Sequence, residues 1–412
     1  MQGLCVGTAA GAEQAVCAAA EGAGSGRAVA VRGYIGSLGM RTLDQWRANR
    51  WNAGRPDWQA WVRLGTAVCS VAGPHSRSQD GSRPVFTSLK VAGYRGLKSL
   101  EVKRLGQVNL VAGRNNSGKT SLLEAVFLLA HGGSAQAAIN GNVVRGGVST
   151  GAHPDENSRA LWGPMFSDLD LSQPVSISGK HSVLGALDLK ITHRYSGRFE
   201  RASASRDTHP GAHASFGEDG AKVEVKGDPL VAPCVILKSS ADNPQDDAKR
   251  LGLLRVRKQA SLVVEALQVI EPRLQALDGF AGPGGHTLWG DIGRPEQIPL
   301  AVLGDGVNRL ARLVLAMAHK RGLVVLVDEI ENGFHHSVLE RVWKAIHTTA
   351  ERFATQVIAT THSHEAIAAA YRASPGHDFV LHRLDVDDDA VKCVTYDSES
   401  IEGALEHGLE VR

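Results

Sequence analysis

Several large protein classes are excluded by what this chain does not contain. Its five cysteines, Cys5, Cys17, Cys69, Cys234 and Cys393, form no CxxC pair and show no metal-like spacing, so they read as reduced thiols in a cytoplasmic protein. No apolar run approaches the roughly 20 residues that would span a bilayer, so no membrane partner is expected. The opening MQGLCVGTAAGAEQAVCAAAEGAGSG has no positively charged start and no true hydrophobic core, which excludes a secretory signal. Internal repeats and sustained heptads are absent, so a long coiled-coil arm is not expected. Charge of one sign is lacking too: 45 Lys and Arg against 43 Asp and Glu give a net charge of +2. A basic surface for nucleic acid, if there is one, must therefore be local.

What is present is ample for a large core. The chain has 412 residues, 43% apolar and 21% charged, the composition of a soluble globular protein of one large or two ordinary domains. Residues 1–83 differ from the rest. They hold nine arginines, no lysine and four of the seven tryptophans (Trp46, Trp51, Trp58, Trp61), and end on the linker-like HSRSQDGSRP. An Arg/Trp arm for nucleic acid is one reading. Neither helical nor strand periodicity persists there, so a poorly ordered extension is the reading adopted.

From Val85 the pattern changes. VFTSLKVAGYRGLKSLEVKRL reads as two strands about a glycine turn, and QVNLVAG as a short buried strand. The next helix is expected to carry an apolar stripe of Leu122, Leu123, Val126, Phe127 and Leu129. Residues 133–173 are Gly-rich and irregular. PVSISGKHSVLGALDLKITHRY and AKVEVKGDPLVAPCVILK alternate like antiparallel strands with a polar stretch between them. Residues 244–277 read as one or two helices broken at Pro272. Then GLVVLVDE and TQVIATTHS are buried strands flanking the amphipathic helix HSVLERVWKAIHTTAERF, and FVLHRLDVDDDAVKCVTY reads as a hairpin. This succession predicts an α/β fold, a mixed sheet flanked by helices, in three stretches: 84–132, 133–296 and 297–412.

The chemistry concentrates at Gly113-Arg114-Asn115-Asn116-Ser117-Gly118-Lys119-Thr120, which satisfies G-x-x-x-x-G-K-[ST] at every fixed position between a strand and a helix. Glycines let the backbone wrap phosphates closely, and the following helix N-terminus, with Ser121, offers free N–H groups to an anion. Lys119 would reach the β- and γ-phosphates, and the Thr120 hydroxyl would ligate Mg²⁺. A second buried strand ends in Asp328-Glu329. Asp328 would hold Mg²⁺, and Glu329 would polarise the attacking water as general base. An Asp-Glu pair at a strand end can also be a plain helix cap with a first-turn acid, and the P-loop decides against that.

GRNNSGKTSLLEAVFLL, VLGDGVNRLARL, LVVLVDEIENGFHHSVLERVW and QVIATTHSHEAI, in that order, resemble the ABC-type AAA ATPases of the OLD-like group. The group includes ATPase subunits of bacterial anti-phage systems and is a cousin of the RecF and SMC-type DNA-repair ATPases. VVEALQVIEPRLQALDGF adds to the likeness, which covers roughly residues 84–412. It implies a P-loop NTPase of ABC-ATPase head type, with an antiparallel β lobe and a helical insertion. It also implies ATP and Mg²⁺ as cofactors, and a homodimer in which each nucleotide lies between the P-loop of one subunit and the signature of the other. Leu303-Gly304-Asp305-Gly306 stands in the signature's place, with Gly304 where the family has serine, so that hydroxyl contact is missing. A plain glycine turn opening the helix NRLARLVLAMAHK is the alternative, and the signature reading is the one adopted. By the same likeness Asn308 and Arg309 add phosphate contacts, and His362 is the switch histidine beside the γ-phosphate. Glu331 to His335 stand in the D-loop at the dimer seam, and Arg95 lies near the nucleotide. No Q-loop glutamine is identified.

Two clusters are set aside. Asp385, Asp387, Asp388 and Asp389 fall where a hairpin turns and read as solvated turn residues. His335 and His336, being adjacent, are expected on different faces of a helix with no third ligand. A GTPase or kinase is disfavoured: no NKxD-like motif, expected of a GTPase, follows the Asp-bearing strand, and a signature segment with a switch histidine argues against this class. Only 50 residues follow His362, so no TOPRIM nuclease domain is expected, and a nuclease or other effector would be a separate protein. Lys249, Arg250, Arg255, Arg257 and Lys258 offer a basic stretch for nucleic acid, or an ordinary solvated helix face. Two outputs stay open: a DNA-linked ATPase of repair or anti-phage defence, and an ATP-gated switch that controls a separate effector without acting on DNA.

Overall fold

In the computed structural model the strand-turn-strand reading at the start of the domain becomes β1 (Phe86–Tyr94) and β2 (Leu97–Val102), antiparallel with Tyr94 opposite Leu97. The structure describes residues 84–131, 162–196, 199–206, 209–217, 220–225, 232–238, 244–282, 285–387, 390–396, 401 and 403. The extension 1–83, most of the Gly-rich run from 133, and Asp388 and Asp389 lie outside them.

The chain continues through β3 (Val108–Gly113) and α1 (Lys119–Ala130) into a meander of β4 (Val175–His181), β5 (Gly185–Ser196), β6 (Phe199–Arg206), β7 (His209–Gly217) and β8 (Gly220–Val225). Together with β1 and β2 these make one seven-stranded antiparallel sheet, ordered β2-β1-β4-β5-β6-β7-β8. The polar stretch expected between two pairs of strands is thus itself strand. Helix α1 departs from its expected stripe: Leu122, Leu123, Glu124, Ala125, Val126, Leu128, Leu129 and Ala130 are all buried, because the helix is enclosed between two sheets.

Next come β9 (Cys234–Leu237), α2 (Pro244–Val256) and α3 (Ala260–Leu267). Cys234–Leu237 was expected to extend an antiparallel pattern. It instead pairs in parallel with a strand nearly 90 residues on, a long-range partnership that four apolar residues do not advertise. The helical break falls at Lys258, whose φ is +57°, and not at Pro272, which lies beyond both helices. A small sheet of β10 (Ala276–Gly282), β11 (Gly285–Asp291) and β12 (Ile298–Pro299) follows.

The last stretch is α4 (Asp305–Ala318), β13 (Val324–Val327), α5 (Leu339–Phe353), β14 (Gln356–Thr361), α6 (His364–Ala373), β15 (Phe379–Asp387) and β16 (Ala390–Tyr396). It completes a six-stranded sheet, β16-β15-β3-β14-β13-β9, parallel except for the edge strand β16. Alternate residues enter two cores. Leu110, Val325, Val327 and Ala359 meet helices α2–α6, whereas Val111, Leu326 and Ile358 meet α1 and the antiparallel sheet. Burial on both faces is why β3, β13 and β14 read as continuous apolar runs. Gln356, 1% exposed, ties the two sheets together: its amide donates to the carbonyls of Phe86 (2.7 Å) and Gly106 (2.9 Å) and accepts from the Phe86 N–H (2.8 Å). Among the described residues no helix is long and apolar enough to cross a membrane.

Candidate nucleotide site

The C-terminal ends of β3, β14, β13 and β9 lie side by side, the place where open parallel sheets form their ligand crevice. The P-loop leaves β3 there. Gly113 (φ +153°) and Gly118 (φ +89°) both need to be glycine: a Cβ on Gly113 would lie 2.6 Å from Ser117 Oγ, and one on Gly118 would lie 2.5 Å from Leu97 Cδ2. Asn116 takes the left-handed conformation (φ +65°) that asparagine tolerates better than most residues. No side chain caps α1 at Gly118, so its first N–H groups stay available to an anion. Asn115 and Asn116 are exposed, Ser121 is half-buried, and the buried Ser117 hydroxyl has no hydrogen-bond partner among the described residues.

Lys119 donates to the loop's own carbonyls, Gly113 (2.7 Å) and Arg114 (2.8 Å). Burial lowers its pKa, against the opposing pull of Asp328, Glu331 and Glu329. Thr120 Oγ1 donates to both Asp328 oxygens, at 3.2 and 3.1 Å. Thr360 on β14 donates to Asp328 Oδ1 (2.7 Å) and accepts from the Glu329 N–H (2.9 Å), so one hydroxyl orients both acids. Glu329 stands at φ +50°, a strained value for a non-glycine residue, and its carboxylate accepts from Asn332 (2.6 Å). This set fits a nucleotide with a hard divalent cation: a hydroxyl and a carboxylate converge beside an anion cradle, and phosphate oxygens would complete the coordination.

Gly304 (φ +117°, ψ 153°) precedes α4, whose N-terminus has no side-chain cap. Gly304 and Asp305 are exposed. Gly306 packs on the loop after β13, where an added Cβ would lie 3.0 Å from the Gly333 carbonyl oxygen. Arg309, expected to reach phosphate, turns inward. It donates to the main-chain oxygens of Asp328 (3.0 Å) and Glu329 (2.6 Å). Glu331, expected at a dimer seam, is also turned inward: it lies 3.1 Å from His362 Nδ1 and accepts from the His362 N–H at 2.9 Å. Arg95 pairs with Glu124 of α1 (2.9 Å), so it braces that helix and is not an open cation for the nucleotide.

The roles of Arg309 and Glu331 rest on contacts between separate loops, which no local spacing encodes. Lys238 was missed for a related reason. Only the parallel pairing of β9 with β13 places it at the end of the strand beside Asp328, where it faces Glu124 Oε1 at 3.6 Å. With Arg309 and Arg312 it lines a small space between β9, β13 and α4.

The remaining clusters resolve differently from expectation. Arg250 pairs with Asp247 (2.9 Å), Lys249 with Asp246 (3.5 Å) and Arg255 with Asp278, while Arg257 donates to the His319 carbonyl (2.5 Å). Three of the five cations, Lys249, Arg250 and Arg255, are therefore paired with carboxylates within the fold. Asp385 and Asp387 lie on β15, paired with Arg383 (2.8 Å) and Lys392 (2.6 Å). His335 and His336 flank the start of a tight 3₁₀ turn with ring centroids 4.0 Å apart, not on separate helix faces. Among the described residues no group of three or more His, Cys, Asp or Glu could hold a metal.

A family model described as "AAA domain, putative AbiEii toxin, Type IV TA system" matches residues 235–368, the span from β9 into α6. An "ATP/GTP phosphatase" of Helicobacter pylori is 24% identical over 372 residues, covering 78% of this chain and 98% of that protein. The "DNA replication and repair protein RecF" of Teredinibacter turnerae is 28% identical over 110 residues, covering 27% of each chain. This chain thus spans about a quarter of the length of that RecF. Among solved structures, an SMC head bound to the C-winged helix domain of ScpA aligns at a TM-score of 0.46 with 14% identity, over 78% of this chain and 100% of that one.

Proposed function

We propose that this ATPase, an AAA-type domain with homology to RecF, hydrolyses ATP with Mg²⁺ as a head-to-head homodimer of the OLD-like kind. The observation that carries the reading is the meeting of Thr120 and Asp328 at 3.1–3.2 Å beside the P-loop, with Glu329 next in sequence. Lys119 and the open N–H groups of α1 bind the phosphates. Thr120 and Asp328 hold the cation, which when bound neutralises charge on the β- and γ-phosphate oxygens. Glu329 takes the proton of the attacking water, and His362 contacts the γ-phosphate. Little covalent work falls to the protein, so positioning and electrostatics supply most of the acceleration.

The dimer is supported by the exposed, uncapped N-terminus of α4 at Gly304 and Asp305, an anion-binding feature on the surface of the chain. It would close on the nucleotide of a second copy, and ATP would favour the closed pair by binding it better. Relatedness to RecF, whose name places it in DNA replication and repair, supports a DNA-linked output in repair or anti-phage defence, with any nuclease on a separate protein. The internal pairing of Arg250 and Arg255 favours the second reading, a switch that holds or releases an effector protein.

ATP turnover by wild type and Glu329→Gln, with and without DNA, while the oligomer is sized, tests the reading. Glu329→Gln should retain ATP, stall turnover and accumulate as dimer. Intact turnover in that variant, or no ATP-driven dimer, would refute it. Salt-sensitive stimulation by DNA selects the first output, and indifference to DNA selects the switch.

A further inference from the structure

Glu331 and His362 come from the ends of two neighbouring strands, β13 and β14, and meet through one carboxylate oxygen. Glu331 Oε1 accepts the His362 main-chain N–H at 2.9 Å and lies 3.1 Å from His362 Nδ1. The two side chains differ in exposure, Glu331 at 11% and His362 at 48%. The other Glu331 oxygen, Oε2, is buried with no hydrogen-bond partner among the described residues. Burying an anion whose second oxygen is unsatisfied is unfavourable for folding, and a serine or threonine could have bonded the same N–H without that charge.

We propose that Glu331 is a positioning residue for hydrolysis: its carboxylate holds the His362 ring with the proton on Nδ1 and leaves Nε2 for the phosphate side. This rests on reading His362 as the group beside the γ-phosphate.

Physical chemistry favours that arrangement. A carboxylate against one imidazole nitrogen keeps the proton there, fixing both tautomer and ring orientation. Among the described residues the bonds of His362 run to Glu331 through Nδ1 and the main-chain N–H, and the ring is half-exposed. The main-chain contact adds rigidity, because the same oxygen pins the backbone from which the ring projects. Neighbouring bonds hold the two strand ends together: the Ile330 N–H reaches the Thr360 carbonyl (2.9 Å), and the Glu329 N–H reaches the Thr360 hydroxyl (2.9 Å). Glu331, with Asp328 and Glu329, opposes the lowering that burial imposes on the Lys119 ammonium. Glu329, by contrast, has its carboxylate bonded by Asn332 at 2.6 Å and makes no bond to His362.

Glu331→Gln separates charge from shape. Glutamine keeps an oxygen for the His362 N–H but removes the anion, so a purely structural clamp survives while the charge that favours the proton on Nδ1 is lost. In the full-length protein, ¹⁵N-histidine NMR without nucleotide should show the His362 ring, identified by its loss in His362→Ala, in the Nδ1–H form. Glu331→Gln should shift the ring measurably away from that form. In turnover, Glu331→Gln should lower kcat about 10-fold or more with ATP affinity unchanged. The same change in a His362→Ala background should add less than about twofold. An unchanged ring signature in Glu331→Gln overturns the proposal, as does an equal loss of kcat with and without His362. The ring measurement needs no hydrolysis. A chain that fails to turn over ATP would therefore refute the proposed function while the spectrum still decides the Glu331–His362 pair.

Discussion

Arg309 and Glu329 are joined through the main chain: the Arg309 guanidinium donates to the Glu329 carbonyl oxygen at 2.6 Å. Its second contact, at 3.0 Å, is to the carbonyl of Asp328. The cation thus grips the turn that holds Glu329 at φ +50°. Arg309 also rides on α4, which follows the exposed Gly304, so one side chain links that helix to the turn bearing Glu329, the proposed general base.

Arg309→Ala is expected to lower kcat about 10-fold or more, the scale of a lost charge-assisted hydrogen bond, with ATP affinity nearly unchanged. Both bonds leave one guanidinium nitrogen, Nη2, so Arg309→Lys keeps the charge and a nitrogen able to serve both carbonyls but loses the planar group that holds it in place, and should fall between. Steady-state kinetics with a separate binding titration checks this. Weakened ATP binding with kcat intact would mean that Arg309 serves phosphate directly.

Lys119→Ala and Glu329→Gln should fail in different ways. The first removes the phosphate-binding ammonium and should weaken ATP binding about 10-fold or more. The second should leave binding in place and reduce kcat about 100-fold or more. Isothermal titration against single-turnover kinetics distinguishes the two.

Gly118→Ala tests the cradle itself. Its Cβ would lie 2.5 Å from Leu97 Cδ2 at a φ of +89°, and Leu97 is fully buried in the core beneath. A destabilisation of roughly 1–3 kcal/mol is expected from the strained backbone, together with loss of ATP binding. Chemical denaturation and nucleotide titration of the same sample would report both.

Acid stability should reflect two buried histidines. Burial lowers His347 to about 3, helped by the neighbouring His377, and lowers His382 to about 4, helped by Arg104. Both are neutral in the fold, while the unfolded chain protonates near the ordinary value of 6.5. Below that value the unfolded state binds more protons, so the stabilisation present above it is lost as pH falls toward about 4 and 3. Each group gives a slope of up to ~1.4 kcal/mol per pH unit. Urea unfolding across that window should be shallower in His347→Gln than in wild type.

Much of the site was legible because its parts are local. The P-loop spacing, Asp328-Glu329 at a strand end and His362 at the next strand end each sit within a few consecutive residues whose apolar runs reveal the strands. The parallel core was legible for the same reason, since β3, β13 and β14 are buried on both faces. What escaped is non-local. Cys234–Leu237 looks like the tail of a meander until β13 is known to lie beside it, and Lys238 gains its place only through that pairing. Likewise Arg309 reads as a phosphate contact and Glu331 as part of a D-loop, whereas in the fold Arg309 bonds the main chain after β13 and Glu331 meets His362. Polar composition concealed β6 and β7, because alternation is a weak signal when few positions along a strand are strongly apolar.

The two bonds from Lys119 to the carbonyls of Gly113 and Arg114 make the loop a competitor for its own ligand. Two of the three ammonium N–H donors are already given to the loop, so an arriving phosphate meets one open donor and competes with two seated acceptors for the others. Measured affinity is then a difference between two sets of bonds to one ammonium. A change that loosens Gly113 or Arg114 could strengthen ATP binding while touching no atom of the nucleotide.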